Sequence, residues 1–116
     1  MATDPDCLFC KIVAGDVPSA VIHETATTIA FRDVEPQAPT HVLVIPRAHH
    51  HDVGALTAAE PSTMVELLNA VSAVAEQEGL GDGYRLVFNT GRAAHQLVLH
   101  VHAHVLGGRD LGWPPG

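Results

Sequence analysis

His100-Val101-His102-Ala103-His104-Val105-Leu106 places a histidine at every second position, with apolar residues between and after them. Alternation with a period of two reads as a β-strand. Successive side chains on a strand point to opposite faces, so residues two apart share a face at about 6.5–7 Å. The three imidazoles are therefore expected on one surface, with Val101, Ala103 and Val105 on the other. Imidazole is the side chain best able to act as nucleophile, proton carrier or metal ligand near neutral pH. Packing alone does not explain a row of three.

Outward from this strand, the chain alternates short apolar runs with turn residues. Leu8 to Ala14 reads as a short helix stopped by Gly15-Asp16 and Pro18. Ala20 to His23 and Thr27 to Phe31 read as strands joined at Glu24-Thr25, and Pro36 to Pro39 as a loop. His41 to Ile45 is a nearly continuous apolar strand closed by Pro46, and His49-His50-His51 stands at its exit. Thr57-Ala58-Ala59-Glu60 has the form of a capping box, and Pro61 suits a first helical turn. Met64, Leu67, Leu68, Val71, Val74 and Ala75 follow at helical spacing until Gly79, predicting one long amphipathic helix. Tyr84 to Asn89 is the remaining strand, and Gly107-Gly108 breaks the histidine strand. Strands outnumber helices and short turns join several of them, which predicts an antiparallel α+β domain.

The chain has 116 residues, enough for one domain with a real core. Residues 1–6 are expected to be a disordered N-terminus and residues 107–116 an extended tail. The net charge is −7, and Lys11 is the only lysine, which excludes a nucleic-acid binder built on phosphate contacts. A small phosphorylated ligand stays compatible, because backbone N–H groups and imidazoles hold one or two phosphates without a basic patch. No run approaches the ~20 apolar residues of a membrane span, and Met1 to Asp6 has no signal-peptide pattern. Cys7 and Cys10 are too close for a framework disulfide, and the pair suits a reducing cytoplasm.

The histidine row admits a metal reading and a nucleophile reading. A cupin-type metal site expects a glutamate a few residues after the His-x-His pair, and none is present. As a nucleophile, His102 is best placed, because it has a histidine on either side. Cys7-x-x-Cys10 could be a redox pair, two unrelated core residues or half of a metal site. The redox reading lacks the surrounding βαβ pattern.

His100-Val-His-Ala-His-Val-Leu106 resembles the motif that names the histidine triad superfamily. Asp33-Val-Glu-Pro-Gln-Ala-Pro-Thr-His41, Leu43-Val-Ile-Pro46, Gly107-Gly-Arg109 and the closing Trp113-Pro-Pro-Gly116 resemble its Hint branch, the purine nucleoside phosphoramidases. The match runs from about Cys7 to Gly116, nearly the whole chain, with several motifs in the same order. The resemblance implies a five-stranded antiparallel sheet with one long and one short helix, joined into a ten-stranded sheet in a homodimer.

It further implies hydrolysis of purine nucleoside 5′-phosphoramidates through a covalent nucleotidyl-histidine. His102 would be the nucleophile, splitting one difficult displacement into two easier ones. His104 would assist proton transfer near the leaving group, with His100 and His49 supporting from behind. Asp33 would bind the ribose hydroxyls, and Phe9, Ile12, Phe31 and Val34 would wall the purine. Asn89, Gln96, Val98 and Trp113 would complete the nucleotide site. Relatives of bacterial type hold a structural zinc on such a Cys pair and two histidines, which here are Cys7, Cys10, His49 and His100. Two thiolates and two imidazoles make a closed tetrahedral site, structural rather than catalytic. His23, His50 and His51 match nothing in the motifs and read as solvated.

One segment departs from the pattern. Gly-Gln followed by a small or polar residue is usual before the triad, whereas this chain has His95-Gln96-Leu97. Leu97 donates no hydrogen bond, so an altered leaving-group preference or slower turnover is expected. The rival readings are a dinucleoside polyphosphate hydrolase and a zinc-stabilised nucleotide-binding module with little turnover. The glycine pair and the tail argue against the first; the changed segment is the best support for the second.

Overall fold

The computed structural model describes residues 2–116. Its centre is a five-stranded sheet of order β1-β2-β3-β5-β4, made from Val21–Glu24 (β1), Thr28–Arg32 (β2), Thr40–Pro46 (β3), Tyr84–Val87 (β4) and Ala103–Gly107 (β5). All four pairings are antiparallel. Helices α1 (Leu8–Ala14), α2 (Val53–Ala59) and α3 (Pro61–Gln77) complete the expected α+β class. No helix among the described residues is long and apolar enough to cross a membrane.

The continuous apolar run at His41–Pro46 becomes the central strand because both of its faces are covered. On one face Val42 and Val44 join Ala30, Val101, Ala103 and Val105 under Leu67, Val71 and Val74 of α3. On the other, Leu43 and Ile45 join Ile29 and Phe31 under Cys7 and Phe9 of the α1 region. Register sets Leu43 opposite both Phe31 and His104, so the triad strand is fastened to the deepest part of the sheet.

Three expectations need correction. The capping box does not form: Thr57 lies inside α2, where its Oγ1 donates to the Val53 carbonyl at 2.7 Å. Asp52 caps that extra short helix instead, accepting the Ala55 N–H at 2.9 Å. The helix α3 then starts on Pro61, and Glu60 makes no side-chain cap. Secondly, the histidine strand enters the ladder only at Ala103, so His100 and His102 precede it, and β4 ends at Val87 rather than Asn89. The predicted division of faces survives, since Val101, Ala103 and Val105 all lie in the helix-side core. Thirdly, the apolar stripe of α3 divides: Leu67, Val71 and Val74 are buried, whereas Leu68 is 40% and its neighbour Val65 58% exposed.

The glycine pair after β5 has a steric reason. A Cβ on Gly107 would sit 2.8 Å from Leu80 Cδ2, and one on Gly108 2.9 Å from Pro39 Cβ. Gly108 also has φ +88°, a left-handed conformation that glycine adopts without penalty. Within the segment expected to be disordered, Ala2 accepts the His49 N–H at 2.8 Å and Asp4 accepts the Cys7 N–H at 3.1 Å. Met1 lies outside the described residues.

Candidate functional site

The three triad histidines lie on the sheet face beneath α1, each with a different environment. His100 is fully buried, and its Nε2 lies 2.8 Å from the Pro46 carbonyl. A carbonyl only accepts, so Nε2 carries the proton and the Nδ1 lone pair is free. That lone pair faces His49 Nδ1 at 3.2 Å, Cys7 Sγ at 3.5 Å and Cys10 Sγ at 3.6 Å, while Cys10 Sγ lies 3.4 Å from His49 Nδ1. Zinc bond lengths of about 2.3 Å to sulfur and 2.0–2.1 Å to nitrogen give tetrahedral ligand-to-ligand separations of about 3.3–3.8 Å. The four donors expected for zinc therefore come together at the spacing zinc requires, with the right lone pair of His100 aimed inward. His49 and His100 stand in this cluster rather than against a substrate.

His102 is buried, and its Nδ1 donates to the His100 carbonyl at 2.8 Å. That bond selects one tautomer and leaves the Nε2 lone pair as the reactive nitrogen. The Phe9 ring meets His102 edge-on at 5.1 Å and 87°, and also packs on Phe31 at 5.5 Å. The His104 ring is next, 4.9 Å from that of His102.

A fourth histidine, His41, completes the row and was not singled out as a site residue by sequence. Its Nδ1 accepts the Gln37 N–H at 3.0 Å, which commits the proton to Nε2. His41 Nε2–H then donates to His104 Nδ1 at 2.9 Å, with Asp33 Oδ2 3.4 Å away. His104 is thereby held as the Nε2–H tautomer, and its Nε2 is buried with no partner in the protein. An orphaned buried donor is costly unless a ligand completes it. Asp33, His41 and His104 are close enough to suggest a second metal site. The proton on His41 Nε2 argues against it, because the nitrogen that would face the ion carries no lone pair. The signal available in sequence was position: His41 lies near the start of the central strand, two residues before Leu43 and so on the same triad-facing side of the sheet.

The remaining expected residues separate into groups. Phe9 and Phe31 are 5% and 4% exposed, and Ile12 and Val98 are half-buried beside them. Asp33 is half-buried, with Oδ1 accepting the Glu35 N–H at 2.8 Å, and Asn89 is half-buried past the end of β4. Val34 and Trp113 are 94% and 83% exposed, so neither walls a pocket within the single chain. Gln96 is buried and directed away from the triad: its Oε1 accepts the Gly91 N–H, and its Nε2 donates to the His51 and Val98 carbonyls. Leu97 beside it is 76% exposed. His50 is not solvated, since its Nε2 donates to Glu60 at 2.6 Å. His23 lies half-buried in β1 with Nδ1 unpartnered, whereas His51 is exposed.

The structure explains why glycine suits the position of His95. His95 ends the 3₁₀ turn Arg92–Ala94 at φ 65°, the one non-glycine residue with positive φ among those described. Left-handed backbone costs about 1–2 kcal/mol for a residue with a Cβ. His95→Gly is expected to raise stability by about 1 kcal/mol, read as a higher urea midpoint at unchanged slope. A lower midpoint would show that the imidazole makes a compensating contact.

Burial lowers the pKa of His100 to about 4, and burial with the neighbouring His102 and His41 lowers that of His104 to about 4. Burial also lowers His102, opposed by its hydrogen bond to the His100 carbonyl. The triad is therefore neutral at pH 7. Unfolded, these rings take protons near their ordinary pKa of about 6.5. Between about 6.5 and 4 the unfolded chain binds more protons, so stability falls as pH drops through that window. The urea midpoint is expected to be clearly lower at pH 5 than at pH 7.5; equal midpoints would mean that these rings titrate normally in the fold.

Comparison with known proteins follows the geometry. Residues 14–111 match the HIT domain family. The 14 kDa zinc-binding protein of Zea mays is 45% identical over 97% of this chain and 90% of its own. Adenylylsulfatase HINT1 of Arabidopsis thaliana is 40% identical over 98% of this chain and 79% of its own. The crystal structure of a HIT family hydrolase from Legionella pneumophila superposes with a TM-score of 0.92 at 44% identity, covering 96% of this chain and all of that one.

Proposed function

The chain belongs to the HIT domain family, and from that membership we propose that it hydrolyses purine nucleoside 5′-phosphoramidates through a covalent nucleotidyl-His102. The observation that carries this reading is the tautomer of His102. Its Nδ1–H is spent on the His100 carbonyl at 2.8 Å, so the Nε2 lone pair is the only nitrogen free to attack phosphorus. Relatives that are hydrolases by name support the reaction class.

The steps follow from the side chains present. Nε2 of His102 attacks the α-phosphorus, the phosphorus–nitrogen bond of the substrate breaks, and the amine leaves with a proton from solvent. Water then attacks the same phosphorus and gives up a proton to solvent, the phosphorus–Nε2 bond breaks, and His102 recovers its lone pair. His104 Nε2–H, buried and unpartnered, completes its hydrogen bonding on a phosphoryl oxygen as negative charge develops there. A ring with pKa about 4 serves at neutral pH as a hydrogen-bond donor rather than as an acid, which refines the proton-transfer role expected for it. His41 keeps the proton of His104 on Nε2, facing the substrate side. Asp33 binds the ribose hydroxyls, and Phe9, Ile12, Phe31 and Val98 offer the purine an apolar wall. Cys7, Cys10, His49 and His100 hold a structural zinc, which makes the α1 region and the triad one unit.

The test is to mix the protein with adenosine 5′-phosphoramidate, quench within a turnover and measure intact mass. An adduct of one adenylyl group, mapped to His102, is expected. Turnover with no adduct at any histidine would overturn the covalent route, and AMP binding without turnover would favour the regulatory module. The name of the Arabidopsis relative supports a second reading of the leaving group, sulfate from adenosine 5′-phosphosulfate, at the same phosphorus.

A homodimer fits the surfaces. The outer strand β4 has one free edge and exposes Tyr84 and Leu86, while α3 exposes Val65 and Leu68. Pairing along β4 would extend the sheet to ten strands and remove that edge. Sedimentation at micromolar concentration is expected to show a dimer for the wild type and a monomer for Val65→Glu/Leu68→Glu. A monomeric wild type would refute the arrangement.

A further inference from the structure

We infer that Cys7-Leu8-Phe9-Cys10 is a positioning element for His102, acting through the metal that its two thiolates share with His100. The inference rests on His102 being the nucleophile only for its kinetic consequence; the structural coupling stands apart from that.

Two connections run from the cluster to His102. One passes through His100, whose ring belongs to the cluster by Nδ1 and whose carbonyl fixes the His102 tautomer. The other passes through Phe9, which lies between the two cysteines. Its ring packs edge-on against both His100, at 5.9 Å, and His102, at 5.1 Å. Cys7 caps α1, with Sγ accepting the Cys10 N–H at 3.4 Å, so the ligands and Phe9 share a single helical turn. Whatever holds both sulfurs therefore holds the ring of Phe9 against His102.

The cluster gathers four donors that one ion would bind at once. The lone pair of His100 Nδ1 points at two sulfurs and at another imidazole nitrogen, and His100 has no exposed surface. Its other ring hydrogen bond is to the Pro46 carbonyl, and Phe9 packs edge-on against it. The adjoining main chain has a separate tie, Val101 N–H to the His50 carbonyl at 2.8 Å. That N–H belongs to the same planar peptide as the His100 carbonyl, so the carbonyl keeps its direction and it is the His102 ring that must be held against it. If the sulfurs are released and Phe9 moves with their turn, the His102 ring is free to rotate off that carbonyl and loses the acceptor that keeps the proton on Nδ1. The other tautomer puts that proton on Nε2 and removes the lone pair from the attacking nitrogen. Outer contacts that orient a reacting group typically contribute 10–100-fold.

The experiment uses full-length protein labelled with ¹⁵N-histidine at pH 7.5, with long-range ¹H–¹⁵N correlation to identify which ring nitrogen of His102 is protonated. Zinc-loaded wild type is expected to show one tautomer, Nδ1–H. Cys10→Ser, with a ligand lost, is expected to show mixed tautomers at His102 and a kcat about tenfold lower at nearly unchanged KM. Cys10→His, which keeps four ligands, is expected to restore the single tautomer. If Cys10→Ser does not fold, wild type stripped of metal in the cold and titrated back with zinc supplies the same readout on its folded fraction. A single Nδ1–H tautomer in folded, metal-free protein overturns the inference. The NMR result holds or fails whether or not any phosphoramidate is hydrolysed, so it separates this coupling from the proposed reaction.

Discussion

His102→Ala is expected to abolish phosphoramidate hydrolysis, with kcat falling by at least about 10³-fold, while AMP still binds. The size follows from the chemistry. Without Nε2 there is no covalent route, and water must attack the substrate directly. On the proposed reading the neighbours left behind, His104 Nε2–H and Asp33, would still orient the nucleotide, so binding is expected to survive. Hydrolysis of an adenosine 5′-phosphoramidate bearing a fluorescent amine, run on both proteins with AMP binding by calorimetry, checks it. Comparable turnover in the variant would move the nucleophile elsewhere. His104 is the poorer candidate, because its Nδ1 accepts from His41 and its Nε2 holds a proton, leaving no free lone pair.

Removing the metal is expected to have the second large effect, this time on stability. Structural zinc contributes folding free energy outright, because the unfolded chain has no preformed site. Here the four candidate ligands come from three distant parts of the chain, Cys7 with Cys10, His49 and His100, so one ion would join α1, the exit of β3 and the approach to β5. Protein prepared without chelator is expected to carry one zinc per chain, and stripping it to lower Tm by more than about 10 °C. Well under one zinc per chain, with Tm insensitive to chelation, would sink the zinc reading. In that case Cys7 and Cys10 are packing residues, and His100 Nδ1 needs another partner.

The two effects separate cleanly in measurement. His102→Ala removes a buried ring but no ligand, so its zinc content stays at wild type. Chelation acts first on the fold and only through it on activity. Acidification resembles the second, since burial holds His100 and His104 unprotonated in the native state.

Much of this molecule was legible in sequence, for identifiable reasons. A period of two over Val101, Ala103 and Val105 reports sheet faces directly, because side-chain direction on a strand is local geometry. The uninterrupted apolar run at His41–Ile45 identified a strand covered on both sides for the same reason. The family resemblance pointed from the Cys-x-x-Cys pair to His49 and His100, and these four residues do converge. Local reading failed where two structures compete for one residue. Glu60 has the spacing of a capping-box acid, but its carboxylate is engaged by His50 Nε2, and Asp52 caps an earlier helix. Leu68 keeps the spacing of a core residue, yet the rotation of α3 on the sheet leaves it outward.

By itself, then, the sequence determined the strand faces, the apolar strand at His41–Ile45 and the row of imidazoles, all of which depend on residue type and short-range period, while the Cys/His set followed from resemblance to a family. Only the tertiary structure decided what each imidazole is. A histidine's tautomer depends on which ring nitrogen meets a donor or an acceptor, and those partners are remote or backbone: Pro46 for His100, the His100 carbonyl for His102, His41 for His104 and Gln37 for His41. No residue type carries that information. It gives His100 a free Nδ1 facing two sulfurs, His102 a free Nε2 lone pair and His104 a donor, although all three read identically in the chain.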